Sequence, residues 1–237
     1  MKPVLLIAGN FVREQRWPIL VLLVWVLGLA VIGLFFDVRN NRDDILLIFK
    51  QLAIYGIAFS VFFGGSAIHN ERKSRRILAV VSKSVGRQQY VAGLLLGVSL
   101  AAGLYCFAMG MTASWVLGGA GFPVPRLIYL IICLFVAAVL AASVSVMFST
   151  FFFNPLLATG ATGLFLSAPV LAMQVLGSQW GYLLPVYSLV ELFLKTSFYD
   201  QRSPDWSLVL VAAIEVVMFW VVASTIFALR DIAVAVE

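Results

Sequence analysis

Six long apolar runs alternate with short polar stretches along the chain, and each run is close to the length of a membrane span. A helix needs about 20 apolar residues to cross the hydrocarbon core of a bilayer. The pattern therefore predicts an all-α polytopic membrane protein with six transmembrane helices. The predicted spans are Pro18–Phe36, Ile45–Ile68, Val91–Val116, Leu127–Phe153, Leu156–Leu176 and Trp206–Leu229.

The residues before the first run have a different pattern. Apolar side chains fall on one helical face, and Lys2, Asn10, Arg13 and Glu14 fall on the other. This arrangement predicts an N-terminal amphipathic helix that lies on the membrane surface. A plain cytoplasmic tail is the alternative. The apolar face consists of Val4, Leu5, Ala8, Phe11 and Val12.

Residues 177–205, between the last two runs, are too many for a turn and too apolar for a free loop. They are rich in Trp, Tyr and Phe, which favour the boundary between membrane and water. We expect Pro185–Lys195 to form a short extracytoplasmic helix that dips into this interface or re-enters the membrane.

Composition agrees with a membrane protein. Hydrophobic residues make up 62% of the chain and charged residues 11%, whereas a soluble domain carries about 25% charged residues. The net charge of +5 is therefore interpreted as a topology signal and not as a nucleic-acid signal. Positive residues concentrate in the N-terminal region, in residues 71–90 and at Arg230, which predicts that both termini and residues 71–90 are cytoplasmic.

The longest polar segment between apolar runs is His69–Tyr90, with the sequence HNERKSRRILAVVSKSVGRQQY. It combines six basic residues and one acid, Glu71, with a short apolar patch at Ile77–Val81. It could bind anionic headgroups, act as a positive-inside anchor, or dock as a short helix on a soluble partner. The apolar patch, which an anchor does not need, favours docking.

Small residues recur every fourth position in several of the predicted spans. Such stripes let helix backbones approach closely in lipid, so we interpret them as packing surfaces and not as ligand sites. The residues concerned are Gly56, Ser60, Gly64, Gly93, Gly97, Ala137 and Ala141.

Motifs for bond chemistry are missing from the sequence, so we expect no enzyme, no catalytic residue and no metal site. There is no G-x-x-x-x-G-K-[ST] phosphate loop, and the single histidine, His69, cannot form a zinc cluster. Glu215 is the one acid deep inside a span, which makes it a candidate for translocation. The alternative is a structural, protonated carboxyl that bonds a neighbouring helix or lies at an interface.

The polar segment resembles the cytoplasmic loop between the second and third spans of ABC-2 type permeases. The resemblance rests on Glu71, on Leu78–Val81 and on Ser82–Arg87, followed by Tyr90 and Gly93. Ser84 and Leu94 stand where the family commonly has Pro and Lys. The number of spans, the surface helix and the aromatic segment before the last span also fit that family.

The resemblance implies the membrane subunit of an ABC exporter in a bacterial or archaeal cytoplasmic (inner) membrane. Such a permease pairs with a second copy or a paralogue, and it docks on a separate soluble ATPase that binds ATP and Mg. Residues 1–237 would form one permease domain without an ATPase domain. The first, second and fifth spans would line the substrate path. The polar segment would be the coupling helix, through Glu71, Arg72, Arg75, Ile77, Leu78, Val81, Lys83 and Arg87.

Two other functions remain open from the residues alone. A secondary transporter or channel driven by an ion gradient would use Glu215 as its coupling group, since no other acid lies near the middle of a span. A structural membrane subunit would have no transport activity. Membrane lipid is a partner under all three hypotheses, and nucleic acid under none.

Overall fold

A computed structural model describes residues 2–35, 42–73, 86–118, 124–176, 184–190 and 206–229 of the chain. Within these ranges the regular structure is entirely α-helical. The helices are α1 (Lys2–Glu14), α2 (Arg16–Phe35), α3 (Arg42–Lys73), α4 (Arg87–Gly118), α5 (Val124–Phe151), α6 (Pro155–Leu176), α7 (Tyr187–Val190) and α8 (Trp206–Leu229).

Five of these helices, namely α3, α4, α5, α6 and α8, are long and apolar enough to cross a membrane. Helix α2 contains a shorter apolar stretch, Arg16–Leu29, among its described side chains. The chain is therefore a multi-pass membrane protein. Helices α3 and α4 extend past the predicted apolar runs at both ends, because backbone hydrogen bonding can continue where a helix enters the polar headgroup region.

Helix α5 lies at the centre of the bundle and packs against α3, α4, α6 and α8. Its side chains explain this position, because a dense series of Ala and Ser residues lets several helices approach its backbone. In the most apolar stretch of α5 that is long enough to cross a membrane, 67% of the residues are buried. The corresponding values are 17% for α6 and 22% for α8. Large apolar faces of α6 and α8 are thus left for lipid or for another protein.

Helices α1 and α2 are separated by a short break at Gln15. The Gln15 N–H donates to the Phe11 carbonyl and the Ile19 N–H to the Gln15 carbonyl, both at 3.0 Å. Pro18 has no N–H for the carbonyl four residues before it, and its ring disfavours an uninterrupted helix there. This position accounts for the break.

The apolar face of α1 packs on α4. Ala8 and Phe11 are buried, whereas Leu5, which we had placed on the same face, is 62% exposed. The predicted amphipathic helix is present, and part of its apolar face packs on a neighbouring helix of the same chain. Its position on the membrane surface stays a prediction.

Contacts between helix ends show which ends lie together. Tyr129 near the start of α5 packs edge-on against Trp206 at the start of α8, with ring centroids 5.2 Å apart. The ends of α5 and α8 therefore point the same way. The end of α3 meets the end of α5, and the start of α4 meets the end of α8. We call this the loop end of the bundle, because α3 ends and α4 begins there.

Candidate functional site

Most of the predicted coupling residues lie outside the described residues. Glu71 and Arg72 belong to the last turn of α3, and Arg87 is the first residue of α4. The other predicted residues are Arg75, Ile77, Leu78, Val81 and Lys83, and nothing in the structure tests their role. What the structure does show is how the two helices that carry this segment are attached to the bundle.

The α3 side is attached through His69. Its Nδ1 lies 3.1 Å from the carbonyl oxygen of Phe153, in the turn between α5 and α6. A carbonyl oxygen only accepts, so in this contact Nδ1 carries the hydrogen. The sequence contains no local signal of this contact, because the two residues are 84 positions apart.

The turn that receives His69 is itself well defined. The Asn154 side chain accepts a hydrogen bond from the Leu156 N–H at 2.9 Å, and Pro155 is the first residue of α6. Asn is a strong N-cap residue and Pro is favoured at the first helical position. The Asn154–Pro155 dipeptide therefore ends one helix and starts the next within a few residues.

The α4 side is attached through Arg87 and Tyr90. The Arg87 guanidinium donates to the carbonyl of Ala228 in the last turn of α8, where carbonyls have no partner within the helix. Tyr90 is buried and stacks on Phe227, with ring centroids 5.6 Å apart. Arg87, which the resemblance assigns to ATPase coupling, thus also holds two helices together.

The first group of predicted small residues lies on α3. A Cβ added to Gly64 would lie 2.8 Å from the Ala142 carbonyl oxygen and 2.8 Å from Ser145 Cβ, both on α5. Ser145 also donates to the Val61 carbonyl across this contact, at 2.5 Å. A Cβ added to Gly65, which the pattern did not select, would lie 2.6 Å from the Thr159 hydroxyl oxygen of α6. The end of α3 is therefore in close contact with both α5 and α6.

The remaining small residues make different contacts. A Cβ on Gly56 would meet the Tyr105 ring at 2.5 Å, and the Ser60 hydroxyl donates to the Gly56 carbonyl of its own helix at 2.9 Å. Ala137 and Ala141 of α5 are buried in the core.

Gly93 and Gly97 of α4 face α1. Cβ atoms at these positions would lie 2.8 Å from Ile7 Cβ and 2.9 Å from Phe11 Cβ, respectively. The N-terminal helix α1 therefore packs against this G-x-x-x-G pair.

Glu215 of α8 faces the short segment that precedes α8 in the chain. Its Oε1 accepts a hydrogen bond from the Val186 N–H at 2.9 Å. Its Oε2 accepts one from the Ser188 hydroxyl. Glu215 thus bonds a neighbouring segment of the chain, and its role in translocation stays a prediction. The predicted helix Pro185–Lys195 is described only to residue 190, with helix α7 at Tyr187–Val190.

Comparison with known families gives one match. A family model described as "ABC-2 family transporter protein" matches residues 36–228. This range includes the loop end, α3 to α8 and Glu215, and begins after α2. None of the curated proteins matches the chain.

Proposed function

Because the chain belongs to the ABC-2 transporter family, we propose that it is the membrane-spanning subunit of an ABC exporter. In this proposal it forms the substrate path as a dimer, with a second copy or a paralogue. Residues 71–87 couple it to a separate soluble ATPase that binds ATP and Mg. It lies in a bacterial or archaeal cytoplasmic membrane with both termini in the cytoplasm.

The observation that carries the proposal is the way the loop end is built. His69 ties α3 to the turn between α5 and α6, and Arg87 ties α4 to the end of α8. The segment between α3 and α4 is therefore connected on both sides to the membrane bundle. Force applied to this segment by a partner would reach four other helices through direct contacts of α3 and α4. The contact at Phe153 leads to α5 and α6, the contact at Ala228 leads to α8, and the α1–α4 packing leads to α1.

Close packing makes this transmission direct. Gly64 brings the α3 backbone directly against the backbone of α5, and at Gly65 the α3 backbone packs against the Thr159 hydroxyl of α6. Packed interiors resist compression, so α3 cannot shift along its axis without moving these neighbours. We propose that ATP-driven movement of the coupling segment displaces α3, α5 and α6 together.

A groove between α2 and α3 supports the proposed path. It has a volume of about 460 Å³ and an apolar lining with one hydroxyl, that of Tyr55. The helices involved correspond to the first two predicted spans, which the resemblance assigns to the path together with the fifth span, α6. The lining residues are Leu22, Trp25, Tyr55, Ala58, Phe59 and Phe62.

The coupling proposal is tested with the full chain and the ATPase that co-purifies with it. We expect Ile77→Asp, Leu78→Asp and Val81→Asp together to abolish co-purification and the Mg-ATP hydrolysis that the permease stimulates. Charges in a buried apolar contact commonly cost about 2 kcal/mol or more each, so the three together should lower the affinity by about 10⁴-fold or more. The measurements are pull-down from membranes and hydrolysis rate in nanodiscs.

The control carries Ile77→Val, Leu78→Ile and Val81→Ile, which keep the patch apolar and of similar volume. It should bind and stimulate hydrolysis as the unmodified protein does. If the Asp variant still assembled with the ATPase and stimulated it, the coupling role of this patch would be wrong. Uptake driven by an ion gradient without any ATPase would instead support the secondary-transporter hypothesis.

A further inference from the structure

Val186 has an unusual backbone conformation just before α7. Its φ is 69°, in the left-handed region, although it is not a glycine. A β-branched residue rarely adopts this conformation and does so only where its surroundings impose it. The Val186 and Ser188 side chains are buried. Residues 184–190 thus form a strained turn, and the structure must contain contacts that hold it.

Two contacts close the turn on itself. The Tyr187 N–H donates to the Leu184 carbonyl at 3.3 Å, and the Leu189 N–H donates to the Val186 carbonyl at 3.0 Å. Neither contact involves the Val186 N–H or the Ser188 hydroxyl. Both of these donors are instead bonded by Glu215, one to each carboxylate oxygen.

We propose that Glu215 is a positioning residue, which fixes this turn on α8 by accepting two hydrogen bonds from it. Glu215 would then affect transport through the position of residues 184–190 and not by binding cargo or an ion. The reason is that unpaired donors are costly where there is no water to replace the carboxylate. The effect on transport rests on the proposed function, whereas the anchoring itself does not.

The anchoring is tested by amide hydrogen exchange of residues 184–190, with the full chain in nanodiscs and without nucleotide or partner. Glu215→Leu removes both acceptors, and we expect exchange of the Val186 amide to be about tenfold faster or more. Glu215→Gln keeps a carbonyl for the Val186 N–H and an amide that can donate to Ser188. In this variant, exchange of the Val186 amide should stay within about twofold of the unmodified protein, because a neutral carbonyl still accepts the hydrogen bond from the Val186 N–H.

Two further variants complete the set. Ser188→Ala removes one of the two donors and should accelerate exchange by about threefold, less than Glu215→Leu. Thr225→Val, on the same helix, loses only the bond from its hydroxyl to the Val221 carbonyl and should leave exchange at residues 184–190 unchanged. If Glu215→Leu does not fold, Ser188→Ala and Glu215→Gln still differ, with about threefold faster exchange expected for the first and less than about twofold for the second.

The proposal is overturned if Glu215→Leu and Ser188→Ala exchange as slowly as Thr225→Val, or if Glu215→Gln exchanges as fast as Glu215→Leu. A second arm measures Mg-ATP hydrolysis by the complex with its ATPase. Loss of stimulated hydrolysis in Glu215→Gln, with exchange unchanged, would show that the charge itself acts and would also overturn the proposal. If the unmodified chain engages no ATPase, the proposed function fails while the exchange result stands.

Discussion

Helices α3 and α6 both carry adjacent or nearby glycines, but these glycines have opposite surroundings. A Cβ at Gly64 would lie 2.8 Å from the backbone of α5. At Gly160 and Gly163 of α6, a Cβ would have no atom of another described helix within 4 Å. Small residues at helical spacing are therefore compatible with close packing, but they do not show which neighbour, if any, uses the space.

This difference in packing follows from the helix that faces the glycines and not from the glycines themselves. Helix α5 offers Ala142 and Ser145 opposite Gly64, so two narrow surfaces meet and the backbones come together. On the outer side of α6, Leu156 and Leu164 are each 74% exposed. In lipid, such apolar surface has no hydrophobic drive towards another helix, so it can stay against acyl chains.

The largest expected effect is from placing a leucine in the tight contact. Gly64→Leu should destabilise the bundle by about 3 kcal/mol or more, because the atoms it meets include backbone that cannot move aside. The measurements are thermal unfolding in detergent and the fraction of monodisperse protein. Gly160→Leu is the matched control and should stay within about 0.5 kcal/mol of the unmodified protein. Equal behaviour of the two variants would remove the contrast between these faces.

A smaller effect is expected from the hydrogen bond across the same contact. Ser145→Ala removes the bond to the Val61 carbonyl and should cost about 0.6 kcal/mol, the average for bonds between membrane helices, and at most about 1.7 kcal/mol. In the control Ser167→Ala on α6, the bond lost is to Leu164 of the same helix. We expect no measurable change in unfolding there. A change as large as that of Ser145→Ala would mean that the α6 face is also packed.

The smallest expected effect on the isolated chain is on the outer face of α6. Leu164→Ala should change the unfolding free energy of the monomer by less than about 0.5 kcal/mol, since the side chain has few protein neighbours to lose. If a second copy covers this face, the same variant should lower the dimer fraction measured by light scattering in nanodiscs. An unchanged dimer fraction would assign the face to lipid.

The predicted coupling segment and the acid in the last span also show that sequence spacing does not predict tertiary contacts. A run of basic residues around Ile77–Val81 and one carboxyl inside an apolar run are visible in the sequence. Their attachments are not, because His69 and Phe153 are 84 residues apart and Glu215 and Val186 are 29 apart. Spacing within one helix carries no information about contacts of that kind.

The sequence by itself determined the helical membrane architecture, the position of the apolar runs, the amphipathic character of α1 and the family resemblance that the match over residues 36–228 confirms. These features depend on local composition and periodicity. The bilayer requires each segment that crosses it to be apolar and to satisfy its own backbone hydrogen bonds. Only the tertiary structure decided which small residues are packed and what covers α1. It also decided which donors Glu215 accepts from and which carbonyl Arg87 donates to. These depend on which surfaces meet, and membrane helices associate through shape and hydrogen bonds that no single segment specifies.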